Sequence, residues 1–163
     1  MFIDRSNPRN PSADIDSMFI DRWSPRAFEP RPLTQTQIDS LFEAARWAMS
    51  SYNEQPWRYI VGVKGQGETW EKLHAVLVEG NQPWAANAPV LALGIYDGLF
   101  SSNDKPNKAA AHDLGAASAM LTVEATARGL VVHQMIGIEP DKAREAFALE
   151  ARLEPFTALA IGY

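Results

Sequence analysis

The strongest constraint on the fold is a helix that runs into a polar turn and leaves it as a strand. Thr34-Gln35-Thr36-Gln37 is a capping box, with Thr34 as N-cap and Gln37 reaching back to it. Behind it Ile38, Leu41, Phe42, Ala45 and Met49 form an apolar stripe at helical spacing. Trp57 to Val63 is aromatic and β-branched and is closed by Lys64-Gly65-Gln66-Gly67, so it reads as a strand. Between helix and strand lies Ser50-Ser51-Tyr52-Asn53-Glu54-Gln55-Pro56, with two serine hydroxyls, two side-chain amides and an acid in a tight turn. A helix end leaves backbone groups unpaired, and Ser and Asn favour turns, so this segment offers many hydrogen bonds in a small volume. Such a turn can hold a flat ring with a polar edge.

A second polar cluster precedes it. Ile15, Met18 and Phe19 fall at helical spacing between Asp14 and Asp21, and Pro25 disfavours helix at Ser24, so the chain is extended through Arg22-Trp23-Ser24-Pro25-Arg26. Alternate residues of an extended segment point the same way, which lets the Arg22 and Arg26 guanidiniums and the Ser24 hydroxyl converge on one phosphate. Taken alone, this pattern reads as a solvated loop. Further on, Asn81-Gln82-Pro83-Trp84 is followed by an Ala88-Pro89-led apolar strand.

Together, Arg22-Trp23-Ser24-Pro25-Arg26 and Ser50-Ser51-Tyr52-Asn53-Glu54-Gln55-Pro56-Trp57 resemble the nitroreductase family of FMN-dependent oxidoreductases. That family's pattern is Arg-x-Ser-x-Arg, one helix, then Ser-Ser-x-Asn-x-Gln-Pro-Trp. The likeness covers roughly residues 14–163, with Met49 where the family usually has Pro. It implies an α+β fold whose central, mainly antiparallel sheet is flanked by helices. It also implies FMN contacts from Arg22, Trp23, Ser24, Arg26, Ser50, Ser51, Asn53 and Gln55. The family's Asn-Gln-x-Trp places a contact to the polar ring edge on Asn81. Its Gly-Leu, apolar run and glycine-ended turn, here Gly129 to Gly137, places backbone donors to flavin N5 on Ile136 and Gly137, where a missing side chain would admit the ring closely. No catalytic side chain is implied, because the flavin carries the chemistry. The implied reaction is ping-pong, with NADH or NADPH as reductant and a nitroaromatic, quinone or similar small molecule as acceptor. The implied assembly is a homodimer with FMN at the interface, Arg22, Ser24 and Arg26 reaching it from one chain and Ser50, Ser51, Asn53 and Gln55 from the other. Family members continue past the Gly-Tyr matched by Gly162-Tyr163 into a tail that helps hold the phosphate and the partner; no such tail follows here, so weaker FMN binding and dimerisation are expected.

The residues also bound the alternatives. A length of 163 residues, 46% hydrophobic, suits one domain (14–163) behind a polar, proline-broken arm (1–13). A formal charge of −5 argues against a nucleic-acid partner. With no cysteine, disulfides, thiolate metal sites and Cys nucleophiles are excluded, and His74, His112 and His133 lack metal-ligand spacing. No apolar run suits a signal peptide or a bilayer span of roughly 18 residues, so no membrane association and a cytoplasmic location are expected.

Strands are predicted near 57–63, 90–96, 130–134 and 156–162. A long, small-residue helix from Lys108 to Arg128 suits close approach by another helix. His112 and Asp113 begin it, and adjacent helical residues face different directions, so the two are not expected to act as a dyad. His133 reads equally as a flavin neighbour or a structural histidine. The polar stretch 97–107 reads as a substrate lid or a connector. Two other functions fit the residues: a non-catalytic dimeric flavin binder, and a hydrolase using Ser50 or Ser51. The latter lacks a Gly-x-Ser-x-Gly elbow.

Overall fold

The structure, a computed structural model, describes residues 9–163, so the first eight residues of the expected arm lie outside the described residues. The elements run α1 (Ser17–Asp21), α2 (Gln35–Arg46), a 3-10 turn (Ser51–Asn53), β1 (Trp57–Val63), α3 (Thr69–Ala75), α4 (Gln82–Ala85), β2 (Val90–Asp97), α5 (Ala110–Ala127), β3 (Val131–Met135), α6 (Pro140–Ala146) and β4 (Leu153–Gly162). The sheet order is β1-β2-β4-β3, and every neighbouring pair is antiparallel. The fold is thus α+β with an antiparallel sheet, as the family resemblance implies, and not the parallel α/β sheet that alternating helices and strands alone would also suggest. Among the described residues, no helix is long and apolar enough to cross a membrane.

The sheet is covered on both faces, which is why β2 is a continuous apolar run instead of an alternating one. Val90 and Ala92 meet Leu41 and Ala45 of α2 and Leu114, Ala117 and Leu121 of α5. Leu91, Leu93 and Ile95 meet Trp70 and Leu73 of α3 and Ala143 of α6 on the other face. The Thr34 capping box forms in full, with the Gln37 amide donating to Thr34 Oγ1 and the Thr34 amide to Gln37 Oε1.

Two boundaries depart from the sequence reading. α1 begins at Ser17, not Asp14, because the Asp16 carboxylate caps it by accepting the Met18 amide. β4 begins at Leu153, although Pro155 lacks a donor and would ordinarily end a central strand. The sheet tolerates it there because β3 ends at Met135 opposite Ala158, leaving that side of β4 unpaired, and because a bulge falls beside Gly94 and Ile95.

The Tyr59 ring packs against Phe42, and its hydroxyl lies 2.8 Å from Ser118 Oγ, joining β1 to α5. Burial pushes the Tyr59 phenol up to about 12, with the Ser118 hydrogen bond opposing the shift. The unfolded chain releases this proton near the ordinary tyrosine value of about 10. The contribution is therefore complete below that value and is lost as pH rises towards 12, by about 1.4 kcal/mol for each tenfold fall in proton concentration. Urea unfolding should show this alkaline loss in the wild type and a flatter profile in Tyr59→Phe; equal profiles would refute it.

Candidate functional site

The Arg22 to Arg26 segment is held by its backbone. α1 ends at Arg22 in an extended conformation (φ −66°, ψ 127°). The Arg9 guanidinium donates to the Arg22 carbonyl at 2.6 Å and to the Ile20 carbonyl at 3.0 Å. His133 Nδ1 lies 2.9 Å from the Pro25 carbonyl, which can only accept, so this nitrogen carries the proton. The His133 ring packs on Trp84 with centroids 4.4 Å apart, and the Arg26 guanidinium sits 6.0 Å from the same indole. By contrast, the side chains of Arg22, Ser24 and Arg26 have no hydrogen-bond or carboxylate partner among the described residues. A clamped backbone bearing two unpaired guanidiniums suits an anion.

His133 ties this segment to a second group. Asn81 Nδ2 donates to the Gly137 carbonyl at 3.1 Å, which also accepts the Val78 amide. A Cβ on Gly137 would fall 2.5 Å from Asn81 Nδ2 and 2.9 Å from Val78 Cγ2. The glycine thus makes room for the Asn81 amide, where the sequence reading reserved that space for a ring. Ile136 is 65% exposed, and neither its amide nor that of Gly137 has an acceptor among the described residues. Two adjacent free N–H groups in a tight turn form a small donor array.

The Ser50 to Gln55 turn is a third group, and it is strained. Tyr52, Asn53 and Gln55 all have left-handed backbones (φ 54°, 55° and 50°), a conformation costing roughly 1–2 kcal/mol for each non-glycine residue. Opposing this, Ser50 Oγ accepts the Gln55 amide, Gln55 Nε2 donates to Asn53 Oδ1, and Arg58 donates to the Gln55 carbonyl. Glu54 accepts the Ser101 amide at 2.6 Å, and Tyr52 meets Phe100 edge-on. The 97–107 stretch is therefore built onto this turn. Its base is pinned by Arg152, whose hydrogen bonds to Asp97 and contact with Asp104 push the guanidinium pKa further up.

Asp113 also reaches the turn. Its Oδ2 accepts the Ser51 amide at 2.9 Å, and its Oδ1 accepts His112 Nδ1 at 2.9 Å. The sequence reading has these neighbours facing different directions, yet Nδ1, the near ring nitrogen, reaches the adjacent carboxylate in the first turn of α5. Sequence reasoning missed Asp113 because its partner lies 62 residues away. The residues also disfavour a hydrolase. Among the described residues no histidine nitrogen bonds a serine hydroxyl, His74 facing Gln82, His112 facing Asp113 and His133 facing Pro25.

The groups do not all meet within one chain. Arg22 to Arg26 is tied through Pro25 to His133 of β3, the strand that Ile136 and Gly137 follow, whereas Ser50 to Gln55 leads into β1. These strands are opposite edges of the sheet, three inter-strand steps or about 14 Å apart.

The comparisons with known proteins agree with this architecture. The Nitroreductase family model matches residues 20–77. A crystal structure described as an oxidoreductase containing FMN superposes with a TM-score of 0.90 and 34% identity, over 98% of this chain and 82% of that one. A Streptomyces coelicolor protein named "Putative NADH dehydrogenase/NAD(P)H nitroreductase" is 33% identical over 93 residues, 57% of this chain and 45% of that protein. The chain thus matches less than half the length of that relative. A nitroreductase family protein from Clostridium difficile 630 shares the fold, with a TM-score of 0.76 and 24% identity over 93% of this chain and 84% of that one. The chain belongs to the nitroreductase family.

Proposed function

We propose that the protein is an FMN-dependent oxidoreductase working as a homodimer. The observation that carries this reading is the pair of guanidiniums, Arg22 and Arg26, without hydrogen-bond or carboxylate partners among the described residues, on a backbone that His133 ties to the strand leading into the Ile136 and Gly137 amides, which have no acceptor among those residues. A phosphate at one end and a polar ring edge at the other match that donor set. Bound FMN would supply the redox chemistry, taking hydride from NADH or NADPH and passing electrons to a nitroaromatic, quinone or similar acceptor in a ping-pong cycle.

This chain's residues would bind and orient. Arg22, Arg26 and Ser24 hold the phosphate, and Trp23 covers it. The Ile136 and Gly137 amides donate to the ring where negative charge builds on reduction. Asn81 keeps its Oδ1 and one N–H for the ring edge after bonding Gly137. Ser50, Ser51, Asn53 and Gln55 come from the partner chain, since a single chain holds the two groups on opposite sheet edges. Loaded with FMN and kept free of oxygen, the protein should oxidise NADH or NADPH by about one equivalent per flavin alone and turn over continuously only when a nitroaromatic or quinone is present. An FMN-loaded protein inert towards both nicotinamides with either acceptor class would leave only the flavin-binding reading.

Helix α5 supports the dimer. One face buries Leu114, Ala117 and Leu121, while the opposite face carries Gly115, Ala116, Ala119 and Met120, and a helix apolar on both sides suits burial on both. Sedimentation should give a dimer at micromolar concentration and a monomer with weakened FMN binding for Ala119→Arg. A stable, flavin-loaded wild-type monomer would exclude the shared site.

A further inference from the structure

We infer that Asp113 is a positioning residue that holds the Ser50 to Gln55 turn in its cofactor-facing shape; this rests on the flavin reading above. Asp113 is 2% exposed and sits in the first turn of α5. Both carboxylate oxygens are engaged, Oδ2 by the Ser51 amide and Oδ1 by His112 Nδ1, each at 2.9 Å. The His112 side chain is 78% exposed, so it closes the solvent side of an otherwise buried carboxylate.

The turn has reason to need this anchor. Its left-handed residues, Tyr52, Asn53 and Gln55, follow directly on the Ser51 amide that Asp113 holds. The remaining restraints are local or come from exposed residues: Ser50 to Gln55, Gln55 to Asn53, Arg58 to Gln55 and Glu54 to Ser101. Asp113 is the buried side chain among these contacts, and it sits on a helix packed into the core. A charge-assisted bond from a rigid helix sets where the turn starts, and the local bonds then set its shape. The Asn53 and Gln55 side chains are aimed by that placement.

The donor can be removed without touching α5. Ser51 opens the 3-10 turn, and Ser50 before it is extended (φ −146°, ψ 154°), the conformation a following proline requires. Ser51→Pro therefore deletes the N–H, whereas Ser51→Ala keeps it. Asp113→Asn keeps the shape but presents an NH2 group to one of the two donors. FMN titration followed by flavin fluorescence should show dissociation constants raised at least about tenfold in Asp113→Asn and in Ser51→Pro, the effect of one lost charge-assisted bond. Ser51→Ala, which loses only the hydroxyl, is the baseline for Ser51→Pro, which should bind FMN at least about tenfold more weakly than it, and adding Asp113→Asn to Ser51→Pro should weaken binding by less than Asp113→Asn does alone, because both break one contact. The visible circular dichroism of bound FMN, which a loss of stability alone does not alter, should change in both variants. Amide exchange at Tyr52 to Gln55 should quicken in both without FMN, with exchange in β2 unchanged. Wild-type FMN affinity in both variants, or unaltered exchange in the turn, would overturn the role of Asp113. If the wild type binds no FMN, the flavin reading fails, and turn exchange in the apo protein still decides for or against the anchor.

Discussion

Replacing Arg22 or Arg26 with alanine is expected to weaken FMN binding by roughly 10- to 150-fold while leaving folding stability within about 0.5 kcal/mol. The two halves of this expectation have separate causes. The segment's geometry comes from the Arg9 and His133 contacts to the Arg22 and Pro25 carbonyls, which either substitution leaves in place. The guanidiniums have no hydrogen-bond or carboxylate partner among the described residues, and the Arg26 contact with the Trp84 ring is a distant one at 6.0 Å, so their removal orphans no polar group among the described residues. What is lost is a charge-assisted contact to phosphate of about 1.5–3 kcal/mol. Calorimetric titration and thermal unfolding of the same preparations separate affinity from stability. Mixing Arg22→Ala with Asn53→Ala adds a test of the shared site. In a mixed dimer, one site combines both defects and the other rebuilds the wild-type pair. Recovery of tight FMN sites on mixing supports sharing between chains; no recovery despite subunit exchange would place each site within one chain.

Gly62→Ala is expected to destabilise the protein by about 1–3 kcal/mol. A Cβ at this position in β1 would lie 2.6 Å from both the Trp70 backbone nitrogen and its Cα. Those atoms belong to α3, whose Trp70 is buried and donates through Nε1 to the Ala88 carbonyl, so neither helix nor side chain can swing aside. Gly80→Ala is the control. Nothing lies within 4 Å of its Cβ position, and its change in urea midpoint should be small. A Gly62→Ala midpoint equal to that of Gly80→Ala would mean that α3 does not press on β1 as described.

The sequence exposed most of the architecture because its signals are local. The Thr34 capping box, the strand at Trp57 to Val63 and the apolar run at Val90 are each specified by neighbouring residues, and each lies where expected. The β4 start was hidden, because Pro155 is acceptable only where β3 has already ended, a fact about another strand. The candidate site divides the same way. Residues matching the family motifs could be named from sequence, but what holds them could not. His133 contacts Pro25 across 108 residues and Asp113 contacts Ser51 across 62, distances at which spacing carries no information. The reason for Gly137 was likewise invisible: the atom filling its Cβ space belongs to Asn81, 56 residues earlier. The pairing of His112 with Asp113 shows the limit of facing rules, which describe Cβ directions and not the reach of a ring nitrogen.

The central claim is that this chain builds an FMN site, and the most direct test is titration of FMN into the purified, flavin-stripped protein, followed by flavin absorption and fluorescence. The expected result is saturable binding at one FMN per chain, with a perturbed visible spectrum and loss of tight binding in Arg22→Ala. A folded protein that leaves the flavin spectrum unchanged at every concentration would contradict the account, even with its fold as described.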